Sequence, residues 1–300
     1  MKIAFAIGLS LLQFCGLSQE KSSWEIPFQL ENNCIYIYCK VNDTDSVRFL
    51  FDTGADGSVI NSDSDKQLHL KVDGESVNRG SNGSNTVAQS SGNNVAFAGL
   101  EQKDISFTLI PFGTSPFDGV FGTNLMKNYI IEIDYNRKSL KFSEAAQFKS
   151  DLSSYEKIKI QTVANYPTIK CNLLIQGKKY SGLFGLDTGA DDALTIASPY
   201  AVKNGLKQKT KHIATSVFQG SDGSTYEMPI VEAPELQVGK KSFYCIPMNL
   251  SSAKEGIDAT EDMAGFFGNN FLKRFNIVLD LKNGFIYLKP NENLYSPFFQ

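Results

Sequence analysis

A chain of 300 residues, of which 42% are hydrophobic and 20% charged, can bury one large core or two moderate ones, which argues against disorder. Its 29 basic and 32 acidic residues give a formal net charge of -3, and they form no block of like charge that suits nucleic acid or an anionic membrane. We therefore expect no nucleic-acid partner.

Residues 1–18 have the pattern of a secretory signal peptide. One lysine precedes an apolar run that is too short to span a bilayer, and small residues follow before the polar QEKSS. We therefore expect an exported protein, periplasmic or secreted, with no membrane span. Cys15 raises the alternative of a lipid anchor, which we disfavour because Phe14 stands where bacterial lipidation sites carry a small residue.

The remaining chain contains an internal repeat. Four landmarks occur twice in the same order: DTGAD at Asp52 and Asp187, GSNGS and GSDGS at Gly80 and Gly220, SFTLIPF and SFYCIPM at Ser106 and Ser242, and GVFGTNLMKN and GFFGNNFLKR at Gly119 and Gly265. Such self-similarity indicates a duplicated unit. We predict two homologous domains, residues 19–150 and 151–300, with a polar linker at 143–157.

Most segments have the composition of short strands, rich in Ile, Val, Phe and Tyr and bounded by Gly, Asn and Asp. The clearest are CIYIYCKV, VRFLF, KDISFTLI, YIIEIDY and KSLKF. Helical patterns are scarce, the best being short turns at Thr123 and Asn269, and NRKS and KNGF predict hairpin turns. We therefore predict an all-β fold: two homologous closed β-barrel lobes with a cleft between them and a few short helices.

Four cysteines follow the predicted signal peptide: Cys34, Cys39, Cys171 and Cys245. An even number in an exported chain permits disulfides without specifying any. In the repeat, Cys245 aligns with Leu109 and Cys171 falls near Ile37, both apolar core-type positions. We therefore predict buried free thiols instead of a bridge.

Each copy of the first landmark ends an apolar segment on an aspartate, Asp52 or Asp187. A buried carboxylate is costly unless it is paired, and a duplicated fold can bring two equivalent ones to one axis. Two adjacent carboxylates share one proton, so that one acts as acid and the other as base. Such a pair can activate water against a carbonyl and protonate the leaving amine without a metal. We predict Asp52 and Asp187 as the catalytic residues.

The residues after each aspartate suit this arrangement. Gly54 and Gly189 allow two backbones to approach closely where the lobes meet. Thr53 and Thr188 carry hydroxyls that can bond to the backbone across the lobe boundary. We therefore predict that these four residues hold the catalytic pair in register.

The Asp-Thr-Gly-Ala motif at 52–55 and 187–190, followed much later in each lobe by two apolar residues and glycine at 120–122 and 266–268, resembles the aspartic proteases of the retropepsin and pepsin superfamily. The resemblance extends over most of the predicted mature chain. The spelling of the motif is similar to retroviral-type enzymes, which are homodimers, whereas the fused two-lobe layout resembles pepsin. The resemblance implies a monomeric aspartic endopeptidase that cuts an extended polypeptide and uses no cofactor.

Val120–Gly122 and Phe266–Gly268 resemble the family's hydrophobic-hydrophobic-Gly element, which braces the catalytic loop. Retroviral members carry an Arg where this chain has Thr123 and Asn269, and that Arg pairs with the aspartate after Asp-Thr-Gly-Ala. The role of that aspartate is therefore open here. The last residue of each motif and the residue after it are candidates for substrate binding: Ala55, Asp56, Ala190 and Asp191.

Pepsin-like enzymes usually carry Ser or Thr where this chain has Ala55 and Ala190, and that hydroxyl can stabilise the ionised carboxylate. Alanine cannot do so. The resemblance therefore implies higher pKa values for the pair and a working pH that is mildly acidic instead of strongly acidic.

The family covers its cleft with a glycine-rich hairpin called the flap. RGSNGSNTV and QGSDGSTYEM lie between the catalytic loop and the bracing element of their lobes, where a flap belongs. Their composition suits a mobile hairpin tip, although ordinary solvated loops have it too. The candidate flap residues are Gly80, Gly83, Gly220 and Gly223. Two flaps would be the retroviral arrangement.

Other interpretations remain open. The aspartates could merely cap turns in a duplicated barrel, or the fold could be a catalytically silent module that grips extended peptides by strand addition. DTGADG also partly matches a calcium loop through Asp52, Asp56, Gly57 and Asp63, but the second copy has Asp192 in place of the glycine and Ser198 at the twelfth position. His69 and His212 have no motif around them, so we expect no metal site and no Ser-His-Asp triad.

Overall fold

The structure is a computed structural model that describes residues 23–44 and 46–299. The predicted signal peptide, with Cys15, lies outside the described residues. Within them, no helix is both long enough and apolar enough to cross a membrane. The fold is mainly β, as predicted, with a few short helices.

The first half of the described chain forms the strands β1 (Ser23–Pro27), β2 (Gln29–Glu31), β3 (Cys34–Val41), β4 (Val47–Phe51), β5 (Ser58–Asn61), β6 (Val72–Arg79), β7 (Ser84–Phe97), β8 (Leu100–Ile110), β9 (Gly119–Phe121), β10 (Ile130–Asp134) and β11 (Ser139–Ser143). The predicted strands CIYIYCKV and VRFLF coincide with β3 and β4. Their Ile, Val and Phe side chains are buried, as their composition indicates.

The second half forms the strands β12 (Glu156–Lys159), β13 (Gln161–Val163), β14 (Tyr166–Ile175), β15 (Lys178–Leu186), β16 (Leu194–Ile196), β17 (Lys211–Gln219), β18 (Thr225–Val238), β19 (Lys241–Leu250), β20 (Gly265–Phe267), β21 (Phe275–Asp280) and β22 (Phe285–Pro290).

Two eight-stranded sheets have the same topology. The first has the order β2-β3-β4-β9-β5-β8-β7-β6 and the second β13-β14-β15-β20-β16-β19-β18-β17. Additional pairings of β3 with β7, and of β14 with β18, close each sheet on itself. Each barrel is filled by aromatic side chains, among them the fully buried Phe49, Phe107 and Phe121 in the first and Phe184 and Phe267 in the second.

A third sheet joins the two halves, with the order β1-β11-β10-β21-β22-β12. Its centre is the antiparallel pair β10–β21, in which Ile131 faces Leu279 and Ile133 faces Ile277. YIIEIDY contains β10 and KSLKF overlaps β11, so both are strands as predicted, but they lie in this sheet and not in the first barrel. β10 pairs with β21 across the lobe boundary and β11 pairs with β10 and β1, partners that the local pattern of a strand cannot specify. NRKS and KNGF are the predicted hairpin turns.

Helices are short. Those predicted after the glycines of the bracing elements are present as a 3₁₀ turn at Thr123–Leu125 and as a helix at Asn269–Leu272. Two further helices, α1 (Ser198–Asn204) and α2 (Leu206–Lys209), were not predicted. The helix at Asn269–Leu272 is α3. Gly205 separates α1 from α2 with a left-handed φ of 59°. Another 3₁₀ turn, Ala145–Gln147, lies in the predicted linker.

Cys34, Cys39, Cys171 and Cys245 are free thiols, and the first three are buried as predicted. Cys245 is exposed, so the prediction that it is buried was wrong. The sequence alignment of the two lobes had the wrong register here. Ile60 and Thr195 lie at the same distance after their aspartates, and they pair with Leu109 and Asn249 respectively. The structural counterpart of Leu109 is therefore Asn249 and not Cys245. Bulges in the first lobe and the left-handed φ of 55° at Cys245 accompany this shift.

Candidate active site

The two aspartates lie where β4 and β15 end. The Asp52 N–H donates to Phe121 O at 3.1 Å, and the Asp187 N–H donates to Phe267 O at 2.9 Å. Both acceptors belong to strands that run parallel to β4 and β15 in the centre of each barrel. The backbone of each aspartate is therefore fixed to a buried central strand. The chain turns immediately after each aspartate, and both carboxyl groups lie at the boundary between the lobes.

The two threonines interlock across that boundary. The Thr53 N–H donates to the Thr188 Oγ1 at 3.0 Å, and the Thr188 N–H donates to the Thr53 Oγ1 at 3.1 Å. Each hydroxyl then donates to a carbonyl of the opposite lobe, Thr53 to Leu186 O and Thr188 to Phe51 O, both at 2.8 Å. Both threonines are buried. Four hydrogen bonds therefore fix the two catalytic-loop candidates relative to each other.

Gly54 and Gly189 lie against the opposite carboxyl group. A Cβ added at Gly54 would be 2.6 Å from Asp187 Cγ, and one at Gly189 would be 2.4 Å from Asp52 Cγ. Both distances are shorter than any real carbon contact, so neither position accepts a side chain. The close approach predicted for these glycines is thus a property of the loops.

The Asp52 and Asp187 carboxyls form a hydrogen bond with each other. Burial raises the pKa of Asp52, and burial together with the charge of Asp52 raises the pKa of Asp187 well above its ordinary value. Asp52 Oδ1 accepts the Gly54 N–H at 2.7 Å, while Asp187 Oδ1 accepts Gly189 and Ala190 N–H groups at 2.9 and 3.1 Å. Of the two carboxyls, Asp187 therefore has the stronger tendency to keep its proton.

The aspartates that follow the motif contact hairpin turns of the opposite lobe. Asn165, in the β13–β14 turn, donates from Nδ2 to Asp56 Oδ2 at 3.1 Å. Asn33, in the β2–β3 turn, donates from Nδ2 to the backbone oxygen of Asp191 at 2.9 Å. Both aspartates are thus tied across the lobe boundary by an asparagine, in a chain that lacks the arginine of retroviral enzymes.

Ala55 and Ala190 contribute backbone oxygens. Thr123 N–H donates to Ala55 O at 2.8 Å, and Asn269 N–H donates to Ala190 O at 2.7 Å. The N–H groups of Thr123 and Asn269 therefore support the two aspartate loops. Asn269 also uses its side chain, accepting from the Tyr135 hydroxyl and donating to Asn33 O, each at 2.5 Å.

The glycines of the bracing elements are packed against the loops that carry Asp52 and Asp187. A Cβ at Gly122 would lie 2.3 Å from Gly57 O, and one at Gly268 would lie 2.1 Å from Asp192 Oδ1. The apolar residues before them, Val120, Phe121, Phe266 and Phe267, are buried. These elements therefore form the wall against which each loop rests.

A buried polar group behind the second loop escaped the sequence analysis. Asp192 Oδ2 accepts the Asn249 Nδ2 group at 2.6 Å and also the hydroxyl of Thr195. Burial raises the pKa of Asp192 to about 7, and the charges of Asp191 and Asp187 add to the effect. The first lobe has Gly57, Ile60 and Leu109 at the equivalent positions. The only sequence signal was the second acid in DTGADD.

The glycine-rich stretches are hairpin tips. β6–β7 turns at residues 80–83 and β17–β18 turns at 220–224. The tips meet, since a Cβ at Gly80 would lie 2.2 Å from Asp222 Oδ1 and one at Gly83 would lie 2.9 Å from its Oδ2. The Asn78 Nδ2 group also donates to Ser221 O at 3.1 Å. Gly220 and Gly223 lie in the second tip, Gly223 with a left-handed φ of 80°.

Residues 254–258 hold the first tip. Ile257 N–H donates to Gly80 O at 2.9 Å, and Asp258 N–H donates to Ser81 O at 3.0 Å. The Asp258 side chain is buried and accepts the Tyr226 hydroxyl of the second hairpin at 2.5 Å. Burial raises the pKa of Asp258 to about 6. No repeated landmark marked this segment, so the sequence analysis missed it.

The residues of the calcium-loop interpretation have separate protein partners. Asp63 Oδ2 accepts the Gly113 N–H at 2.8 Å, whereas Asp56 contacts Asn165. Among residues 23–44 and 46–299, no group of three or more His, Cys, Asp or Glu side chains could hold a metal ion. His69 and His212 are both exposed.

Residues 37–125 match a family model described as aspartyl protease. The match includes the first Asp-Thr-Gly-Ala motif, the first hairpin tip and the first bracing element, whereas the second lobe lies outside it. No curated protein matches the chain.

Proposed function

Because residues 37–125 match an aspartyl protease family model, we propose that the protein is an aspartic endopeptidase. The observation that carries the proposal is the pairing of Asp52 with Asp187 on loops interlocked by Thr53 and Thr188. A shared-proton pair at a rigid boundary between two lobes is the arrangement that water-mediated peptide hydrolysis requires.

The reaction uses one water and the shared proton. The water oxygen bonds to the scissile carbonyl carbon while ionised Asp52 takes one of its protons, and Asp187 donates its proton to the carbonyl oxygen. The C–N bond then breaks as the proton on Asp52 passes to the leaving nitrogen. Asp187 recovers its proton from the intermediate, which restores the starting state of the pair.

The assignment of the proton to Asp187 follows from the surroundings of the two carboxyls. Burial and the charge of Asp52 raise the pKa of Asp187 well above its ordinary value. Burial raises the pKa of Asp52 too, but hydrogen bonds from backbone N–H groups, among them that of Gly54, favour its ionised form. We therefore assign Asp187 as the acid and Asp52 as the base at the start of the reaction.

The substrate we propose is a polypeptide in extended conformation, held beneath the hairpin tips at residues 80–83 and 220–224. The sequence repeat and the equal strand orders support an origin by internal duplication and two domains, residues 19–150 and 151–300. Because each lobe supplies one aspartate, we propose that a monomer is active. Export, with removal of residues 1–18, is also part of the proposal.

The test is cleavage of a denatured protein and of a mixed peptide library between about pH 3 and 8. Asp52→Asn and Asp187→Asn should each lower kcat by roughly 10⁴-fold or more while preserving the fold. Asp104→Asn is the matched control, because Asp104 is exposed and has a left-handed φ of 58°, which asparagine also adopts.

A wild-type protein that binds extended peptides but cleaves none of them at any pH would identify a silent binding module instead. The rate of the wild type should be maximal at mildly acidic pH, because Ala55 and Ala190 offer no hydroxyl to the ionised form of the pair. A maximum below about pH 3 would contradict this part of the proposal.

A further inference from the structure

Two hairpin turns occupy equivalent places in the two lobes and reach across the lobe boundary. The β2–β3 turn contains Asn32 and Asn33, with φ of 47° and 65°, and the β13–β14 turn contains Ala164 and Asn165, with φ of 46° and 69°. Each turn is tied to the aspartate loop of the other lobe through its asparagine. The residue that follows each turn therefore stands at the same position relative to the catalytic pair.

Those two residues differ in size. Tyr166 follows the turn of the second lobe, and its half-buried ring packs edge-on against Phe266 with centroids 5.7 Å apart. Burial and the nearby charges of Asp187 and Asp52 raise the pKa of its hydroxyl. The phenol group thus reaches the neighbourhood of both catalytic carboxyls.

Cys34 follows the turn of the first lobe. Its thiol is buried and donates to Gly189 O at 3.5 Å, and burial together with Asp191, Asp187 and Asp52 raises its pKa to about 12. Like Tyr166, Cys34 therefore lies beside both carboxyls. It is packed in a cluster with Tyr36 and Leu50 and places no aromatic ring at this position.

We propose that Tyr166 is a specificity-determining residue that restricts the substrate to small side chains at one of the two positions flanking the scissile bond. This inference rests on the proposed function. The substrate class is then a peptide with Gly, Ala or Ser at that position. The other flanking position is free of this restriction, because Cys34 provides no ring at the equivalent place in the first lobe.

The physical reason is exclusion by volume. Phe266 supports the ring from behind, and Asn165 holds the turn to Asp56, so the side chain has little room to withdraw. A bulky substrate side chain would have to displace the packed ring of Tyr166. The complex would then lose the contacts between Tyr166 and Phe266.

The experiment compares wild type, Tyr166→Ala and Tyr166→Phe on a peptide library, with the residues on both sides of each cleaved bond determined by mass spectrometry. Tyr166→Ala should raise kcat/KM for bulky side chains by at least about tenfold at one flanking position and leave the other position unchanged. Tyr166→Phe should keep the wild-type preference, because it retains the ring. Tyr287→Ala, which loses a ring in the six-stranded sheet, controls for general destabilisation.

Equal preferences of wild type and Tyr166→Ala at both positions would overturn the inference, and so would a Tyr166→Phe variant that broadens as Tyr166→Ala does. Failure of the proposed function is a separate result, namely that the wild type cleaves nothing. In that case, binding of the same library is measured with and without Tyr166→Ala. Enrichment of bulky peptides by the variant would support the inference, and unchanged enrichment would overturn it.

Discussion

Thr53 and Thr188 each use one hydroxyl as acceptor and donor toward the opposite lobe. Thr188→Val keeps the shape of the side chain but leaves the Thr53 N–H and Phe51 O without their partner. We expect a loss of roughly 1–3 kcal/mol in the free energy of unfolding, because buried polar groups without partners are costly. Urea unfolding measures it.

Thr188→Ser is the control for that variant, since serine retains the hydroxyl and loses only a methyl group. The free energy of unfolding of Thr188→Ser should therefore lie much closer to the wild-type value. If the valine variant were as stable as the serine variant, the interlocked hydroxyls would contribute little to holding the lobes together.

The buried acids of the second lobe predict how stability depends on pH. Asp192, Asp258 and Asp187 have pKa values raised above the unfolded-state value of about 3.9, so the folded state binds their protons more tightly than the unfolded state does. Their stabilising effect is complete below the unfolded-state pKa and is lost as the pH rises through the folded-state values of about 6 and 7 for Asp258 and Asp192.

Urea unfolding of the wild type should therefore show a lower free energy of unfolding at pH 7.5 than at about pH 4.5. Asp192→Asn removes one titrating group while preserving its size, and the decrease should become smaller. Asp104→Asn, on the surface, should leave the decrease unchanged. A wild-type protein whose stability rises over this interval would contradict the assignment of buried, protonated acids.

Residues of the first landmark could be predicted because their chemistry is local. A carboxylate after an apolar strand, a glycine that permits close approach and a threonine between them are adjacent in sequence. The partnership of Asp192 with Asn249 could not be predicted, since it depends on the pairing of β16 with β19 in a register that the repeat alignment misplaced.

At the scale of elements, the two hairpin tips are built to meet. Gly80→Ala would bring a Cβ to 2.2 Å from Asp222 Oδ1 and 2.6 Å from its backbone N, so the tips would have to separate. We expect kcat/KM to fall by about tenfold or more, equivalent to roughly 1.4 kcal/mol lost from the closed arrangement. Peptide cleavage assays measure this.

Gly74→Ala is the matched control in the same hairpin, because a Cβ at Gly74 would meet nothing within 4 Å. Its activity and thermal midpoint should equal those of the wild type. Equal activity of Gly80→Ala and Gly74→Ala would show that contact between the tips is not needed for turnover.

Strands and hairpins were predictable to different degrees. β3 and β4 coincide with their predicted ranges, because apolar β-branched and aromatic runs bounded by turn residues have few alternatives. α1 and α2 were missed because they are short and carry a weak periodic pattern. The exposure of Cys245 was missed because a bulged sheet shifts the register while leaving the sequence similarity intact.

At the scale of the whole molecule, the six-stranded sheet makes the lobes depend on each other. Leu279, in β21, is buried opposite Ile131 of β10. Leu279→Ala should cost about 2–5 kcal/mol through the cavity it creates. Trp24 lies in β1 of the same sheet and packs against Tyr129, so its fluorescence reports unfolding of the first lobe.

Because the substitution lies in one lobe and the probe in the other, a shared transition should shift as a whole. We expect fluorescence and far-UV circular dichroism of Leu279→Ala to give the same lowered urea midpoint. Two separate midpoints, with the fluorescence transition at its wild-type position, would mean that the lobes unfold independently.

The sequence by itself determined the all-β class, the doubled architecture and the two aspartates, because alternating apolar patterns and a repeated motif are properties of neighbouring residues. Only the tertiary structure decided how the halves join. The shared sheet, the asparagine turns that tie each aspartate loop to the other lobe, and the packing of Tyr166 against Phe266 all depend on contacts between distant parts of the chain. Local composition cannot specify such contacts, because many partners of similar chemistry are available to each strand and turn.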